Sequence, residues 1–270
     1  MEVDTEQPIF RQQWRRSPAQ EREIRTWVEE MLKAGRIRPS LSPHGAPTFC
    51  VKKAVGWRIV HDYRAMNNHT VRRTLPMPRK DVIFEKMIGS YWYSCMDLLS
   101  GYYQFRMRDA DIKYTAFQTV NGSYEYLVIP TGLSNAPATF NDGIRRLLND
   151  LIDFCLSYFD DIYIFTRGND IQSHLDALDT VLTRLEENHF YVKLSKCVFC
   201  SAEMPCLGDY IGRNGIRIDP NKVVMLREWP LPKTNNELSS FLETATYVQR
   251  FCAGFANDAG PLFDMLKKAS

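Results

Sequence analysis

Apolar positions along this chain recur with two periods, one helical and one strand-like, and the switches between them mark out the elements. Over residues 17–34 the stripe Ile24, Trp27, Val28, Met31 and Leu32 repeats every three or four positions. Ser17 stands as N-cap, Pro18 at the first helical position and Gly35 as the stop, which predicts a capped helix. Residues 38–47 hold Pro39, Pro43, Pro47 and Gly45 and predict an ordered loop. Alternation then predicts strands over 48–52 and 57–61 about a turn at Gly56, and a helix from Lys80 to Ile88 ending at Gly89. Further strands are predicted over 91–98, 104–107, 115–118 and 124–127, with Asn121-Gly122 as the hairpin turn between the last two. Helical periodicity over 137–149 and 171–188 flanks another apolar run, and short strands follow Tyr191, broken at Gly208, Gly212 and Asn214-Gly215. Helices over 221–228 and 235–255 close the chain. This interleaving predicts an α+β fold, an antiparallel sheet with helices on one face.

The run between those two helices, Leu156-Ser157-Tyr158-Phe159-Asp160-Asp161-Ile162-Tyr163-Ile164-Phe165, sets adjacent carboxylates inside β-favouring apolar residues. Leu156, Tyr158, Ile162 and Ile164 read as strand positions on either side, so Asp160-Asp161 falls in the tight turn of a hairpin. Two bare carboxylates held together repel, and a divalent cation is the usual remedy. The strand over 91–98 carries Asp97 before the turn Ser100-Gly101-Tyr102, so Asp97 and Asp160 could meet at neighbouring strand ends. Such a cluster suits two-metal phosphoryl or nucleotidyl transfer, with ions roughly 3.5–4 Å apart. Taken alone, an Asp-Asp pair is equally a solvated hairpin turn.

Composition narrows the setting. With 270 residues and 44% hydrophobic content the chain can bury a sizeable core. It shows no apolar run of membrane-spanning length and no secretory pattern at Met1-Glu2-Val3-Asp4. Seven cysteines at irregular spacing fit a reducing compartment, so the expected location is intracellular, cytoplasm or nucleus. Cys197, Cys200 and Cys206 invite a zinc reading, but without a fourth ligand at finger-like spacing free thiols are the better one. The net charge of +2 hides an asymmetry: residues 11–80 hold 16 Lys and Arg against 5 Asp and Glu. A basic first third beside an acidic remainder suits an enzyme that grips a polyanion and keeps carboxylates for cations, although Arg22, Arg25 and Lys33 read as a solvated helix face.

Tyr158-Phe159-Asp160-Asp161 downstream of Asp97-Leu98-Leu99-Ser100-Gly101-Tyr102 resembles the pattern of reverse transcriptases, in particular those of Gypsy-type LTR retrotransposons. The similarity continues through Ser40-Leu41-Ser42-Pro43-His44-Gly45-Ala46-Pro47, Trp57-Arg58-Ile59-Val60-His61-Asp62-Tyr63-Arg64-Ala65-Met66-Asn67 and Leu75-Pro76-Met77-Pro78. It extends over Gly132-Leu133-Ser134-Asn135-Ala136-Pro137-Ala138-Thr139-Phe140, Leu194-Ser195-Lys196-Cys197, Leu207-Gly208-Asp209-Tyr210-Ile211, Trp229-Pro230-Leu231-Pro232 and Tyr247-Val248-Gln249-Arg250-Phe251, in family order.

The resemblance implies a right-hand polymerase with an antiparallel palm sheet, fingers and a small helical thumb. It assigns residues 1–90 to an N-terminal segment and part of the fingers, 91–110 to the palm with its first acidic strand, and 111–135 to the rest of the fingers. Residues 136–210 become palm with the Tyr158–Asp161 hairpin and primer grip, and 211–270 thumb and the start of a connection. The implied activity is RNA-directed DNA polymerisation, a nucleotidyl transfer. Its implied partners are an RNA or DNA template-primer duplex and deoxynucleoside triphosphates, with no membrane; the oligomeric state is not read. Asp97, Asp160 and Asp161 are then the catalytic ligands of two Mg2+ ions, with Mn2+ as an alternative. Arg58 matches the triphosphate-binding arginine, Lys52 or Lys53 supplies a second cation, and Tyr102 stacks under the sugar and excludes a 2′-hydroxyl. Thr131 and Gly132 lie by the incoming nucleotide. Pro137, Tyr158, Lys196, Leu207, Gly208 and Trp229 fall at nucleic-acid contacts, and Lys196, or Lys193, near the leaving pyrophosphate.

Several positions depart from the family pattern: Ala54-Val55-Gly56 for an Asp-Gly turn, Thr131 for a phenylalanine, Asp209 for a histidine in the primer-grip hairpin, and Glu243 for a glycine. Asp209 and Glu243 would weaken duplex binding if they faced it. No Asp-Thr/Ser-Gly protease signature precedes the fingers, and the chain ends at Ser270 where a connection and RNase H region are expected, which fits a fragment or a co-opted copy. The alternative is therefore a catalytically weak or inactive retroelement-derived nucleic-acid-binding or interaction protein; a metal nuclease would leave Arg58 and Tyr102 without a role.

Overall fold

In chain order the elements begin with α1 (Pro18–Lys33), β1 (Ile37–Pro39), β2 (Ala46–Lys52), β3 (Trp57–His61), α2 (Arg64–Asn68), α3 (Lys80–Met87) and β4 (Trp92–Asp97). There follow β5 (Phe117–Thr119), β6 (Gly122–Tyr126), α4 (Ala136–Leu147), β7 (Cys155–Tyr158), β8 (Asp161–Thr166) and α5 (Ile171–Glu187). Last come β9 (Val198–Ser201), β10 (Glu203–Cys206), β11 (Asp209–Gly212), β12 (Gly215–Ile218), α6 (Pro220–Arg227), α7 (Asn235–Tyr247) and α8 (Phe255–Lys268). This computed structural model describes residues 1–54, 56–75 and 79–268, the side chain of Lys268 excepted. The family block Leu75-Pro76-Met77-Pro78 thus lies mostly outside the described residues.

The chain divides into two compact units. Residues 1–77, 96–163 and 178–197 make the first, and residues 78–95, 164–177 and 198–270 the second, so β4, β8 and α5 each contribute to both. In the first unit a five-stranded sheet runs β1-β6-β5-β2-β3, with β2 and β5 parallel and the pairs β1-β6, β5-β6 and β2-β3 antiparallel. Helix α1 forms as its sequence dictates: the Ser17 hydroxyl accepts from the Gln20 amide, and the Gln20 side chain accepts from the Ser17 amide in return, a reciprocal cap. Its stripe Ile24, Val28 and Met31 joins a core with Ile37, Tyr63, Phe117 and Tyr126. Each such aliphatic burial is worth about 1.5–3 kcal/mol. The order β7-β8-β4-β9 defines a four-stranded sheet, and β10-β11-β12 an antiparallel three-stranded one in the second unit. There Leu238 and Leu242 of α7 pack with Ala259 of α8.

Several local expectations need correction. The hairpin turn between β5 and β6 is Val120-Asn121 rather than Asn121-Gly122, because Gly122 already pairs with Thr119 in the ladder. The strand expected over 104–107 is absent: residues Gly101–Gln104 form a 3-10 turn, and only an isolated bridge, Arg106 to Val128, follows. Tertiary contacts override propensity there, because the Gln104 amide donates to the carbonyls of Leu99 and Tyr191 while the Phe105 ring packs on Phe140 and Phe190. Residues Asp109–Thr115 are likewise 3-10, and the strand starts only at Phe117. The loop expected over 38–47 is shorter: Arg38 and Pro39 belong to strand β1, whose Pro39 is tolerated because β1 is a sheet edge, and Ala46 and Pro47 open β2. The helix expected over 235–255 ends early: α7 stops at Tyr247, a 3-10 turn spans Gln249–Phe251, and Gly254 at φ 75° leads into a further, unexpected helix, α8.

Candidate active site

Asp97 ends β4, and its neighbour Leu98 donates its amide to the Asp160 carbonyl at 2.9 Å. The Asp97 carbonyl in turn accepts from the Lys193 amide at 2.8 Å. Both acidic segments are therefore backbone neighbours, as the hairpin reading expects. The expected turn Asp160-Asp161 is shifted by one residue: Tyr158 closes β7 and Asp161 opens β8, so the turn is Phe159-Asp160 and Asp161 is a strand residue. Phe159 has φ 50° and Ser100, beside Gly101, has φ 51°, so two non-glycine residues sit in the left-handed region next to the acids. Such conformations cost of order 1–3 kcal/mol each and persist where the surroundings over-determine them. Gly101 is required by close approach: a Cβ there would lie 2.5 Å from Asp160 Oδ1.

The electrostatics of this corner are unbalanced. Burial, then the negative charges of Asp97 and Asp161, hold the Asp160 carboxyl above the usual range, with Lys196 opposing. Asp161 is raised by burial and by Asp97, with the hydrogen bond from Tyr163 opposing. Lys196 Nζ donates to Asp97 Oδ2 at 3.0 Å, and that bond raises the lysine. Tyr163 Oη donates to Asp161 Oδ2 at 3.0 Å. Asp160 Oδ1 is buried with no hydrogen-bond partner. An orphaned carboxylate oxygen among mutually repelling acids is a charge deficit of the kind a hard divalent cation relieves, and the all-oxygen donor set suits magnesium chemistry. As they stand, among the described residues, no three His, Cys, Asp or Glu side chains are grouped to hold one ion, since Asp97 is turned to Lys196 and Asp161 to Tyr163.

Tyr102 belongs to the same corner. Its ring lies 5.0 Å from Phe140, and burial together with the Asp160 charge raises its hydroxyl. Arg58 and the two lysines stand on the β2–β3 hairpin, and among the described residues none of them pairs with the aspartates. The register sets Val51 opposite Arg58 and Lys52 opposite Trp57, with the Lys53 amide donating to the Gly56 carbonyl. Directly opposed residues share a face and neighbours alternate, so Lys53 is on the face of Arg58 and Lys52 on the other.

Thr131 is exposed, and Gly132 at φ 103° offers its carbonyl to Asn67 Nδ2 at 2.8 Å, while Asn67 Oδ1 accepts from the Ser134 amide at 2.8 Å. Asn135 Nδ2 donates to the Val71 carbonyl and its Oδ1 accepts from the Arg73 amide. These two clamps position the loop ahead of α4, whose first turn holds Pro137. Both Asn67 and Asn135 stand inside the family-like blocks, and an amide placed inside a motif is the sequence signal for such clamps. Tyr158 packs edge-on against Phe159.

In the second unit Leu207 and Gly208 turn β10 into β11, and the Trp229 ring rests 5.8 Å from Phe241, a packing role within that unit. Asp209 corrects an expectation: it is 2% exposed and ion-paired to Lys80, Lys222 and Arg250, so its carboxylate does not confront a phosphate backbone. Glu243 is exposed on α7 and accepts from the Ser239 hydroxyl.

This architecture, a mixed fold with Asp160 on a hairpin turn, Asp161 opening the next strand and a third aspartate at a neighbouring strand end, is that of a reverse transcriptase-like polymerase fold. The profile of the family described as reverse transcriptase (RNA-dependent DNA polymerase) matches residues 51–229, and the chain belongs to that family. It is 36% identical over 97% of its length to the retrovirus-related Pol polyprotein from transposon 297 of Drosophila melanogaster, covering 25% of that protein. It is 34% identical over 89% of its length to that from transposon gypsy of the same organism, covering 24% of it. The chain thus spans about a quarter of the curated relatives it matches. Its fold superposes with TM-score 0.90 on a foamy viral protease-reverse transcriptase solved with double-stranded DNA, at 24% identity, over 100% of this chain and 47% of that one. Among the described residues no helix is long and apolar enough to cross a membrane.

Proposed function

We propose that this chain is the polymerising portion of a retrotransposon-type reverse transcriptase, adding deoxynucleotides to a primer along an RNA or DNA template. The observation that carries the reading is the corner of Asp97, Asp160 and Asp161 with its orphaned Asp160 oxygen, in a chain of this family. Asp97, Asp160 and Asp161 would hold two Mg2+ ions, or Mn2+. Bound there, the ions supply neutralisation of charge on both sides of the transferred phosphorus.

The chain's own residues do the rest. Arg58, with Lys53 on its face, binds the triphosphate through fixed cationic donors. Tyr102, seated on Phe140, walls off the 2′ position of the incoming sugar. The loop at Thr131 and Gly132, clamped by Asn67, lines the nucleotide. Lys196 keeps a proton at Nζ for the departing pyrophosphate once Asp97 releases it. Pro137, Tyr158, Leu207, Gly208 and Trp229 belong to the nucleic-acid path. Fingers at 1–90 and 111–135, palm at 91–110 and 136–210 and thumb at 211–270 are the proposed subdivision. The structural relatives are complexes with double-stranded DNA and RNA/DNA hybrid, which supports a duplex partner. Seven cysteines at irregular spacing support a reducing, intracellular setting.

Primer extension on a primed RNA template with Mg2+ or Mn2+ tests the reading, with Asp160→Asn in parallel. Extension by the parent and its loss by at least about a thousandfold in the variant are expected, since electrostatic stabilisation is the largest catalytic contribution. Duplex binding without extension by the parent would overturn it.

A further inference from the structure

The second unit contains a cluster that this reading leaves unused. The Asp209 carboxylate, its side chain 1% exposed, accepts from Lys80 Nζ at 2.8 Å and Lys222 Nζ at 3.5 Å, and is paired with the Arg250 guanidinium. Three cations on one anion leave two positive charges uncompensated within the cluster.

An inventory of N–H groups separates their roles. Lys80 has three, and they go to the Leu207 carbonyl, Asp209 Oδ2 and Tyr247 Oη. The donors of that lysine are all taken within the cluster. Lys222 directs two, to the Gly208 carbonyl and Asp209, and lies 4.4 Å from the Tyr247 ring centre. Arg250 directs one of its five N–H groups to Asp209, lies 5.2 Å from the ring centre of buried Phe84 and 4.7 Å from that of Phe251, and keeps 38% of its side chain exposed.

The lysines also hold the turn that joins β10 to β11. Leu207 at φ 48° and Gly208 at φ 80° are both left-handed, and each carbonyl is taken by a lysine, Lys80 and Lys222 respectively. The positive φ of Gly208 is what favours glycine at this turn, and Lys222 Nζ lies 3.0 Å from where a Cβ would stand.

We propose that Arg250 and Lys222, oriented by the buried Asp209 carboxylate, form a binding site for a backbone phosphodiester of the nucleic-acid duplex. Asp209 is a positioning residue that touches no phosphate. It fixes the guanidinium against Phe84 and Phe251 so that its remaining donors face outward already ordered, and fixed planar donors favour bidentate phosphate contacts. The site rests on the duplex-binding reading above.

The experiment measures the affinity of the full chain for a labelled primer-template duplex across a NaCl series, with the KM and kcat of extension, for the parent, Arg250→Met, Asp209→Asn and the double variant. Arg250→Met should weaken binding about tenfold, the worth of one charge-assisted hydrogen bond. It should also lower the slope of log affinity against log salt by about one and leave kcat at saturating duplex unchanged. Asp209→Asn discriminates by sign: deleting an acid beside a polyanion would tighten binding by simple Coulomb attraction, whereas loss of a positioning residue weakens it. Weakening similar to that of Arg250→Met, with the double variant no weaker than Asp209→Asn alone, is the expected result. Tighter or unchanged binding by Asp209→Asn, additive losses, or an unchanged salt slope in Arg250→Met would overturn the site. If Asp209→Asn fails to fold by circular dichroism, the salt slope of Arg250→Met decides alone. A parent that binds no duplex removes the polymerase reading and this site together; a parent that binds and extends, beside an Arg250→Met variant of unchanged slope, removes this site only.

Discussion

Asp160 is the residue on which the corner's electrostatics turn. Its folded-state carboxyl is raised by burial and by Asp97 and Asp161, so above the ordinary carboxylate range the folded state binds more protons than the unfolded one, and stability falls as pH rises through that window. Asp160→Asn therefore stabilises the metal-free protein. After solvent screening of this part-buried group the gain is about 1 kcal/mol or less, seen in a thermal scan with chelator as a rise of about 2–4 °C. Adding Mg2+ should raise the melting temperature of the parent and leave that of the variant nearly unchanged; a variant that melts lower in chelator would contradict this account. Tyr102 makes a separate prediction. Tyr102→Ala removes the ring seated on Phe140 and should raise ribonucleotide over deoxyribonucleotide incorporation about tenfold or more, read from competing single-nucleotide extensions.

Among the elements, the short helix α2 carries the clamp on the loop at Gly132 and Ser134 through Asn67. Asn67→Ala leaves the Ser134 amide without that acceptor and loosens the loop, at about 1–2 kcal/mol. A rise in the KM for deoxynucleotides, with duplex affinity unchanged, is expected in steady-state extension. Helix α1 was legible because its cap, its stripe and its stop lie within one window. The 3-10 turn at Gly101–Gln104 was not, because Gln104 is tied to Leu99 and Tyr191 and Gly101 to Asp160, contacts that no local pattern encodes. Helix α8 was missed because Pro261 lies inside it, normally a breaker.

Across the molecule, acid sensitivity should come from His61 in the first unit. It is 5% exposed, shares hydrogen bonds with Thr48 at 2.9 Å and Tyr126 at 2.8 Å, and stacks on Phe117 at 4.0 Å. Burial lowers it to about 3. Because the unfolded state takes up the proton first, stability is full above about pH 6.5 and is lost as pH falls toward the folded value. The loss is about 2–3 kcal/mol by two pH units below the unfolded pKa. Denaturant midpoints at neutral and mildly acid pH should show this drop in the parent and a smaller one in His61→Gln.

The acidic hairpin, the strand-end Asp97 and the run of family blocks could be read from the linear chain, because adjacency and period express them locally. Which group answers each charge could not. Lys80 meets Asp209 across 129 positions and Lys196 meets Asp97 across 99, so an acid that looks hostile to phosphate on paper becomes, once folded, a buried anchor for cations. Likewise only strand register shows that Val51 stands opposite Arg58 and Lys52 opposite Trp57. Spacing along a chain records the period of an element, whereas burial and charge pairing depend on segments brought together by folding.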